Sequence, residues 1–217
     1  ITYERLAEIF MELQGKGANN INLVSPTQFV PDIIKALELS KNQGMSLPVV
    51  YNSGGYESVE TLKMLEGYID IYLPDFKYMS RTLSGKYSFA EDYPEKVMSA
   101  IDEMYSQVGK NVFSDNIMIR GMIVRHLVLP GETDDSKEII KYLYDKYKEN
   151  IWLSIMNQYT PMPTMTGKLS RRLTEDEYEE VIDYAESIGV ENAFIQEGGT
   201  AEESFIPPFD YEGVLKL

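Results

Sequence analysis

The sequence predicts an α/β protein in which short strands alternate with amphipathic helices around a mostly parallel sheet. Short apolar segments, such as 21–24 and 47–51, alternate with stretches like 3–14 whose apolar residues recur at helical spacing. The chain has 217 residues, of which 43% are hydrophobic, so it can build one substantial core. Strands joined by helices pair in parallel through right-handed crossovers, which predicts a single domain over 1–197.

The same alternation continues to the end of that domain. Helices are predicted over 3–14, 58–66, 94–108 and 135–148. A further helix follows the break at 25–27 and ends near Gly44, and the last one follows the capping residue Thr174 and ends at about 188. Strands are predicted over 21–24, 47–51, 69–73, 122–129, 151–156 and 192–196, with a hairpin turn at 114–116 and an insertion over 78–93. Five or six such units favour a barrel or part-barrel over an open doubly wound sheet. Residues 198–217 are predicted to form an extended C-terminal tail.

The composition excludes several functions. The formal net charge of −15 repels phosphate backbones and anionic headgroups, so we expect no nucleic-acid and no membrane partner. The chain has no cysteine, which excludes disulfides, thiolate nucleophiles and cysteine-ligated iron–sulfur clusters within this polypeptide. We predict a cytoplasmic protein. Because the chain opens without an initiator methionine or a signal sequence, we expect it to be a piece of a longer one.

Polar residues follow five consecutive predicted strands. Ligands of parallel α/β proteins bind beyond the carboxyl ends of the strands, so these residues are the candidate binding set. The set comprises Asn22, Ser25, Thr27, Asn52, Ser53, Asp75, Lys77, Arg125, Gln158 and Tyr159. We assign no catalytic residue and no metal ligand, because the sequence has no phosphate-loop motif and its single histidine excludes a multi-histidine metal site.

Four of the uncharged strand-end candidates also have structural interpretations. Ser25 and Thr27 could cap the helix that follows them, an interpretation as strong as ligand contact. Asn52 and Ser53 precede two glycines and could belong to an ordinary turn.

The charged candidates favour a ligand role. Asp75 and Lys77 lie two residues apart on an extended segment, so they share a face and could form an ion pair directly after a strand. Arg125 interrupts the most hydrophobic strand, where its charge needs an anion. His126 points to the opposite face, which favours a structural role.

In order and spacing, these strand ends resemble radical S-adenosylmethionine proteins related to the pyruvate formate-lyase activating enzyme. The resemblance covers residues 3–196 and rests on five segments. They are Asn22-Leu23-Val24-Ser25-Pro26-Thr27, 50–56, 70–78, 124–131 and Asn157-Gln158-Tyr159.

The resemblance implies a partial (βα)6 TIM-like barrel, without its first strand and cluster loop, that binds S-adenosylmethionine beside a 4Fe-4S cluster. In such proteins the cluster reduces the sulfonium, and the resulting 5′-deoxyadenosyl radical abstracts hydrogen from a substrate. The implied partners are a glycyl-radical enzyme such as pyruvate formate-lyase, or another protein substrate, and an electron donor such as flavodoxin or ferredoxin.

The resemblance also assigns roles to individual strand ends. The family's Gly-Gly-Glu-Pro run falls at 24–27, where the glutamate is missing, so Ser25 and Thr27 stand in for it. The Asn52-Ser53-Gly54 segment matches the family's Thr-Asn-Gly-like element, and Asp75-Phe76-Lys77 matches its Asp-x-Lys element. The family's arginine before Pro-Gly corresponds to Arg125, and its polar sixth-strand residue to the segment from Gln158 to Thr160.

The family's Cys-x3-Cys-x2-Cys loop is absent from this sequence, so the chain cannot hold the cluster. The sequence therefore predicts a fragment truncated just after that loop and inactive alone. Two alternatives remain: a cysteine-free paralogue that binds a nucleoside or a protein partner, and an unrelated barrel enzyme acting on phosphorylated substrates. The acidic stretch 197–203 disfavours the second alternative.

Overall fold

The computed structural model describes residues 1–196 and Val214. Strands and helices alternate along these residues, as the sequence predicts. The seven α-helices described are α1 (Tyr3–Gly15), α2 (Val30–Asn42), α3 (Val59–Met64), α4 (Arg81–Ser88), α5 (Tyr93–Val108), α6 (Thr133–Tyr147) and α7 (Glu175–Ser187). The seven strands described are β1 (Ile21–Val24), β2 (Val49–Ser53), β3 (Ile71–Pro74), β4 (Val112–Ser114), β5 (Ile117–Leu127), β6 (Trp152–Met156) and β7 (Ala193–Ile195).

The strands form one sheet in the order β1-β2-β3-β5-β6-β7, and β4 pairs only with β5. All neighbours along this order are parallel, whereas β4 and β5 form an antiparallel hairpin. Within the described residues the sheet does not close, because β1 and β7 are its two edges. The predicted fold class, a partial TIM-like barrel, is confirmed.

The two faces of the sheet differ in burial. Alternate side chains of the central strands β2, β3 and β5 lie in the hydrophobic core with the helices, and Tyr51, Tyr72 and Val124 are buried almost completely on that side. The opposite face carries the half-buried Leu73, and Val24 at the β1 edge is 65% exposed. We call this second face the open face of the sheet.

The structure changes three sequence predictions. Asn52 and Ser53 are the last residues of β2 and pair with Leu73 and Pro74, so the expected turn begins only at the glycines. The insertion over 78–93 contains α4, whose weak apolar periodicity hid it. The hairpin turn is present, with positive φ at Asp115 and Asn116, but β5 starts five residues before the predicted strand because β4 pairs with its first part.

Two further predictions bear on regions outside the helices and strands. The extended tail predicted over 198–217 lies outside the described residues except for Val214, whose carbonyl oxygen accepts a hydrogen bond from Arg5 Nε at 3.1 Å. The division at residue 197 stays a prediction.

Among the residues described, no helix combines the length and the apolar character needed to span a membrane.

We predict that Gly55→Ala destabilises the protein by about 3 kcal/mol, because two penalties add. Gly55 has φ +78, and a Cβ there would lie 2.2 Å from the Asp75 carbonyl oxygen. Gly17 has φ +81 with nothing within 4 Å, so Gly17→Ala isolates the backbone penalty of about 1–2 kcal/mol. Urea unfolding of both variants measures the difference, and equal losses would contradict the close approach.

Candidate functional site

Three of the strand-end candidates meet at the carboxyl ends of β2, β3 and β5. Asn52, Asp75 and Arg125 all point to the open face, because the parallel register places Asn52 opposite Leu73 and Asp75 opposite Arg125. The backbone continues this register one residue further, since the Phe76 N–H donates to the Arg125 carbonyl oxygen at 2.8 Å. We call Asn52, Asp75, Lys77 and Arg125 the strand-end cluster.

Arg125 is the centre of the strand-end cluster. Its Nε donates to Asp75 Oδ1 at 2.8 Å and its Nη2 lies 2.7 Å from the same oxygen, while Nη2 donates to Asn52 Oδ1 at 2.7 Å. The Arg125 and Asp75 side chains are only 26% and 20% exposed. A guanidinium in this setting is stable because a carboxylate and an amide oxygen surround it.

Lys77 supplies the accessible positive charge of the cluster. Its Nζ lies 3.4 Å from Asp75 Oδ2, and its side chain is 47% exposed. Asp75 therefore receives Arg125 on one oxygen and Lys77 on the other. The ammonium group of Lys77 can reach an anionic ligand without breaking the pair between Asp75 and Arg125.

Tyr93, at the start of α5, fixes the backbone under the cluster. Its hydroxyl lies 3.0 Å from the Gly54 carbonyl oxygen and 2.9 Å from that of Asp75, and it accepts the Lys77 N–H at 3.0 Å. Burial raises the pKa of Tyr93, so the hydroxyl stays protonated and can donate. This single side chain ties the loop after β2 to the segment after β3.

Ser53 and Thr27 point away from the open face, unlike Asn52. Ser53 Oγ donates to Glu57 Oε2 and Thr27 Oγ1 donates to Glu57 Oε1, both at 3.0 Å. Tyr51 Oη lies 3.3 Å from Thr27 Oγ1 and completes this group on the helix side of the strand ends. The structure therefore divides the candidates from the first two strands between two faces.

Glu57 is a buried carboxylate that the sequence interpretation missed. It is 5% exposed, and burial raises its pKa while the hydrogen bonds from Ser53 and Thr27 oppose that rise. The only sequence signal was a glutamate four residues after a strand-end serine. A single glutamate in a glycine-rich loop is usually solvent-exposed, so that signal is weak.

Ser25 and Asn22 contribute less to the site. Ser25 is exposed and has φ 50, a left-handed conformation that is uncommon for serine. Its backbone N–H donates to the Asn52 carbonyl oxygen at 2.8 Å, which continues the pairing of β1 with β2. Neither Ser25 nor Thr27 caps α2, since that helix follows Phe29 without a side-chain cap. Asn22 is exposed on the open face.

Gln158 and Tyr159 lie on the loop after β6 rather than within the cluster. Tyr159 Oη donates to the Leu169 carbonyl oxygen at 2.8 Å, so this ring holds its own loop together. Gln158 is exposed, and its Nε2 lies 3.6 Å from Met156 Sδ. Within residues 1–196, no hydrogen bond joins either side chain to the strand-end cluster.

Two ion pairs attach the loop after β6 to neighbouring helices. Lys168 Nζ lies 3.1 Å from Glu132 Oε2 and donates to the Gly131 carbonyl oxygen at 2.6 Å. Arg171 donates two hydrogen bonds of 2.7 Å to Glu177, in the first turn of α7. Glu177 also accepts the Gly131 N–H at 2.8 Å. The basic residues of this loop are therefore partly neutralised by the protein itself.

His126 has the structural setting expected of it. The ring is buried, and Nδ1 lies 2.7 Å from the Phe76 carbonyl oxygen, to which it donates. Burial lowers the pKa of His126 to about 4, so the ring is neutral at neutral pH. Over the part of the chain that is described, no group of three or more His, Cys, Asp or Glu residues could hold a metal ion.

The fold is shared with a domain of a known protein. A domain of pyruvate-formate lyase-activating enzyme from Bacteroides vulgatus superposes with a TM-score of 0.61 at 12% identity, covering 83% of this chain and 100% of that domain. The catalytic domain of a chitinase from Pyrococcus furiosus superposes less well, with a TM-score of 0.43 at 11% identity, covering 87% of this chain and 68% of that one. The first likeness shows a common architecture.

The sequence comparisons add one relative. An uncharacterized protein of Methanocaldococcus jannaschii is 30% identical over 181 residues, which are 80% of this chain and 48% of that protein. The chain thus spans about half the length of the curated relative it matches. No protein-family profile matches the chain.

We predict that Asp75→Asn lowers the free energy of unfolding by about 1–3 kcal/mol, because the half-buried Arg125 loses its anion. Asp32→Asn is the control, since Asp32 forms an exposed pair with Lys35 at 3.0 Å, and such pairs contribute about 0–1 kcal/mol. Urea unfolding at neutral pH measures both. Similar losses would show that the pair between Asp75 and Arg125 is no more than a surface contact.

The lowered pKa of Glu177 predicts that its contribution to the stability of the protein depends on pH. Hydrogen bonds from Arg171, with backbone donors at Thr174 and Gly131, lower the pKa of Glu177 from 4.5 to about 2. A carboxylate whose pKa falls on folding stabilises the protein above its ordinary pKa and loses this effect as the pH drops. Glu177→Gln should therefore reduce the urea midpoint at pH 6, and the deficit should shrink from pH 4.5 towards 2. A deficit that stays constant over that range would contradict this.

Proposed function

We propose that this chain forms the S-adenosylmethionine-binding part of a radical S-adenosylmethionine enzyme. The observation that carries the proposal is the strand-end cluster, in which Lys77 and Arg125 stand with Asn52 and Asp75 at the carboxyl ends of parallel strands. The shared architecture with the activating-enzyme domain supports it. Ligands of such sheets meet the protein at this edge.

The cluster complements the polar groups of that cofactor. S-adenosylmethionine offers a carboxylate, an amino group and a ribose diol, and each needs a different partner. We assign the carboxylate to the ammonium of Lys77, supported by the guanidinium of Arg125, because both are donors with a positive charge. Asp75 and Asn52 carry the acceptor oxygens that suit the amino group or the diol.

An iron–sulfur cluster does not fit this chain. The family's cluster is held by three thiolates, and the sequence has no cysteine. The residues of this chain therefore cannot support a redox step at such a cluster. Under this proposal the thiolates belong to a longer protein, which would use the cluster to cleave S-adenosylmethionine reductively.

The partners follow from the same proposal and remain part of it. A longer protein of this kind would receive its electron from a flavodoxin or ferredoxin and would activate a glycyl-radical enzyme such as pyruvate formate-lyase. Its substrate would approach the open face of the sheet, beside the strand-end cluster.

A second candidate is favoured by the absence of cysteine. The same cluster would then bind a nucleoside, or the open face a protein partner, without redox chemistry. Anaerobic reconstitution of the longer gene product with iron and sulfide separates the two candidates. The first predicts reductive cleavage of S-adenosylmethionine, and a product that takes up no iron and leaves the cofactor intact supports the second.

We predict that Lys77→Ala weakens the binding of S-adenosylmethionine by about 10- to 100-fold, because a charge-assisted hydrogen bond to the carboxylate is lost. Adenosine lacks that carboxylate, so its affinity should be unchanged. Isothermal titration calorimetry of both ligands measures this, with Lys63→Ala, an exposed lysine of α3, as the control. Equal affinity of the wild-type chain for the two ligands would contradict the assigned role of Lys77.

A further inference from the structure

Glu57 joins two strand ends from beneath. Each of its two carboxylate oxygens accepts one hydrogen bond from a hydroxyl group. One donor is Thr27, beyond β1, and the other is Ser53, the last residue of β2. Thr27 and Glu57 are 30 residues apart in sequence. Glu57 is 5% exposed and lies on the helix side of the sheet. This carboxylate is therefore a crosslink between two neighbouring loops of the site.

The crosslink occupies the hydroxyl groups of two strand-end candidates. Each hydroxyl has one proton, and both protons are committed to Glu57. Thr27 Oγ1 also lies 3.3 Å from Tyr51 Oη, and the Gly55 N–H lies 3.5 Å from Ser53 Oγ. Neither side chain is left to face a ligand on the open side.

Asn52 lies between two members of this group and points the other way. Tyr51 and Ser53, its neighbours in β2, are held on the helix side, so the Asn52 side chain must project to the open face. There its Oδ1 accepts from Arg125 Nη2 at 2.7 Å. The position of Asn52, and through it that of Arg125, depends on how β2 is held from below.

We propose that Glu57 is the positioning residue of the strand-end cluster: it fixes Thr27 and Ser53, and thereby orients Asn52 towards Arg125. The proposal rests on the proposed function only for what the cluster binds. At the ends of β1 and β2, a ligand would then contact Asn52 and backbone groups. Thr27 and Ser53 would not contact the ligand, because their hydroxyl groups bind Glu57.

A direct ligand contact by Glu57 would require a different geometry. Both oxygens are already hydrogen-bonded, and the side chain has almost no access to solvent. Burial raises the pKa of Glu57, partly offset by the two hydroxyl donors. A carboxylate kept in such a place is expected to have all its hydrogen bonds made within the protein.

The test observes Arg125 directly. The ¹H–¹⁵N resonance of Arg125 Nε, which donates to Asp75 Oδ1, is recorded in the wild-type chain and in Glu57→Gln. We expect this resonance to shift or broaden in Glu57→Gln while the remaining amide spectrum stays that of a folded protein. Glu60→Gln, at an exposed glutamate of α3, should leave it unchanged. An Arg125 Nε resonance that is the same in Glu57→Gln and in wild type overturns the proposal.

Milder variants cover the case in which Glu57→Gln does not fold. Thr27→Val and Ser53→Ala each remove one donor and keep the carboxylate, and each should displace the same resonance and lower Tm by roughly 3–8 °C.

If Glu57→Gln does fold, a double-mutant comparison becomes possible. Thr27→Val should lower Tm by clearly less in Glu57→Gln than in the wild-type chain, because its partner is already changed. Additive effects, or an unmoved resonance in both single variants, overturn the proposal.

These measurements need no ligand, so they separate the two proposals. If the Arg125 resonance moves but the wild-type chain does not bind S-adenosylmethionine, the positioning role stands and the proposed function fails. If the chain binds S-adenosylmethionine but the resonance is unmoved, the proposed function stands and Glu57 has no positioning role.

Discussion

The charge of Arg125 within the most apolar strand constrains the strand ends. The Arg125 side chain is only 26% exposed, so its guanidinium needs hydrogen-bond acceptors within reach in the protein. Asp75, directly after β3, and Asn52, in β2, supply them. This is possible only because β2, β3 and β5 are parallel and in a register that places Asp75 opposite Arg125. The ion pair and the register therefore depend on each other.

Two buried groups hold these strand ends from the helix side. Tyr93 ties the backbone of Gly54 to that of Asp75, and Glu57 ties Thr27 to Ser53. The open face can then present polar groups in fixed positions while the hydrophobic core lies behind them. Such preorganisation is what a binding site for a small polar ligand requires, because little ordering remains to be done on binding.

The sequence predicted the parts of this structure that depend on local patterns. Helices and strands alternate as their apolar spacing indicated, and the interrupted strand identified Arg125. The pattern could not show α4, whose residues include Ser84 and Gly85 and carry little apolar periodicity. Nor could it show Glu57, whose burial arises from a contact with Thr27 across 30 residues. The direction of the β2 side chains could not be predicted either, because the sequence did not show that Asn52 and Ser53 belong to the strand, where one faces the open face and the other the helices.

Whether the strand-end cluster binds S-adenosylmethionine, as we propose, is tested by mapping the amide resonances that this ligand perturbs. A ¹⁵N-labelled chain titrated with S-adenosylmethionine should show its largest shifts at 52–55, 75–77 and 125, with little change on the outer faces of α5 and α6. Largest shifts on the outer helices, or no saturable shifts at all, would contradict the claim.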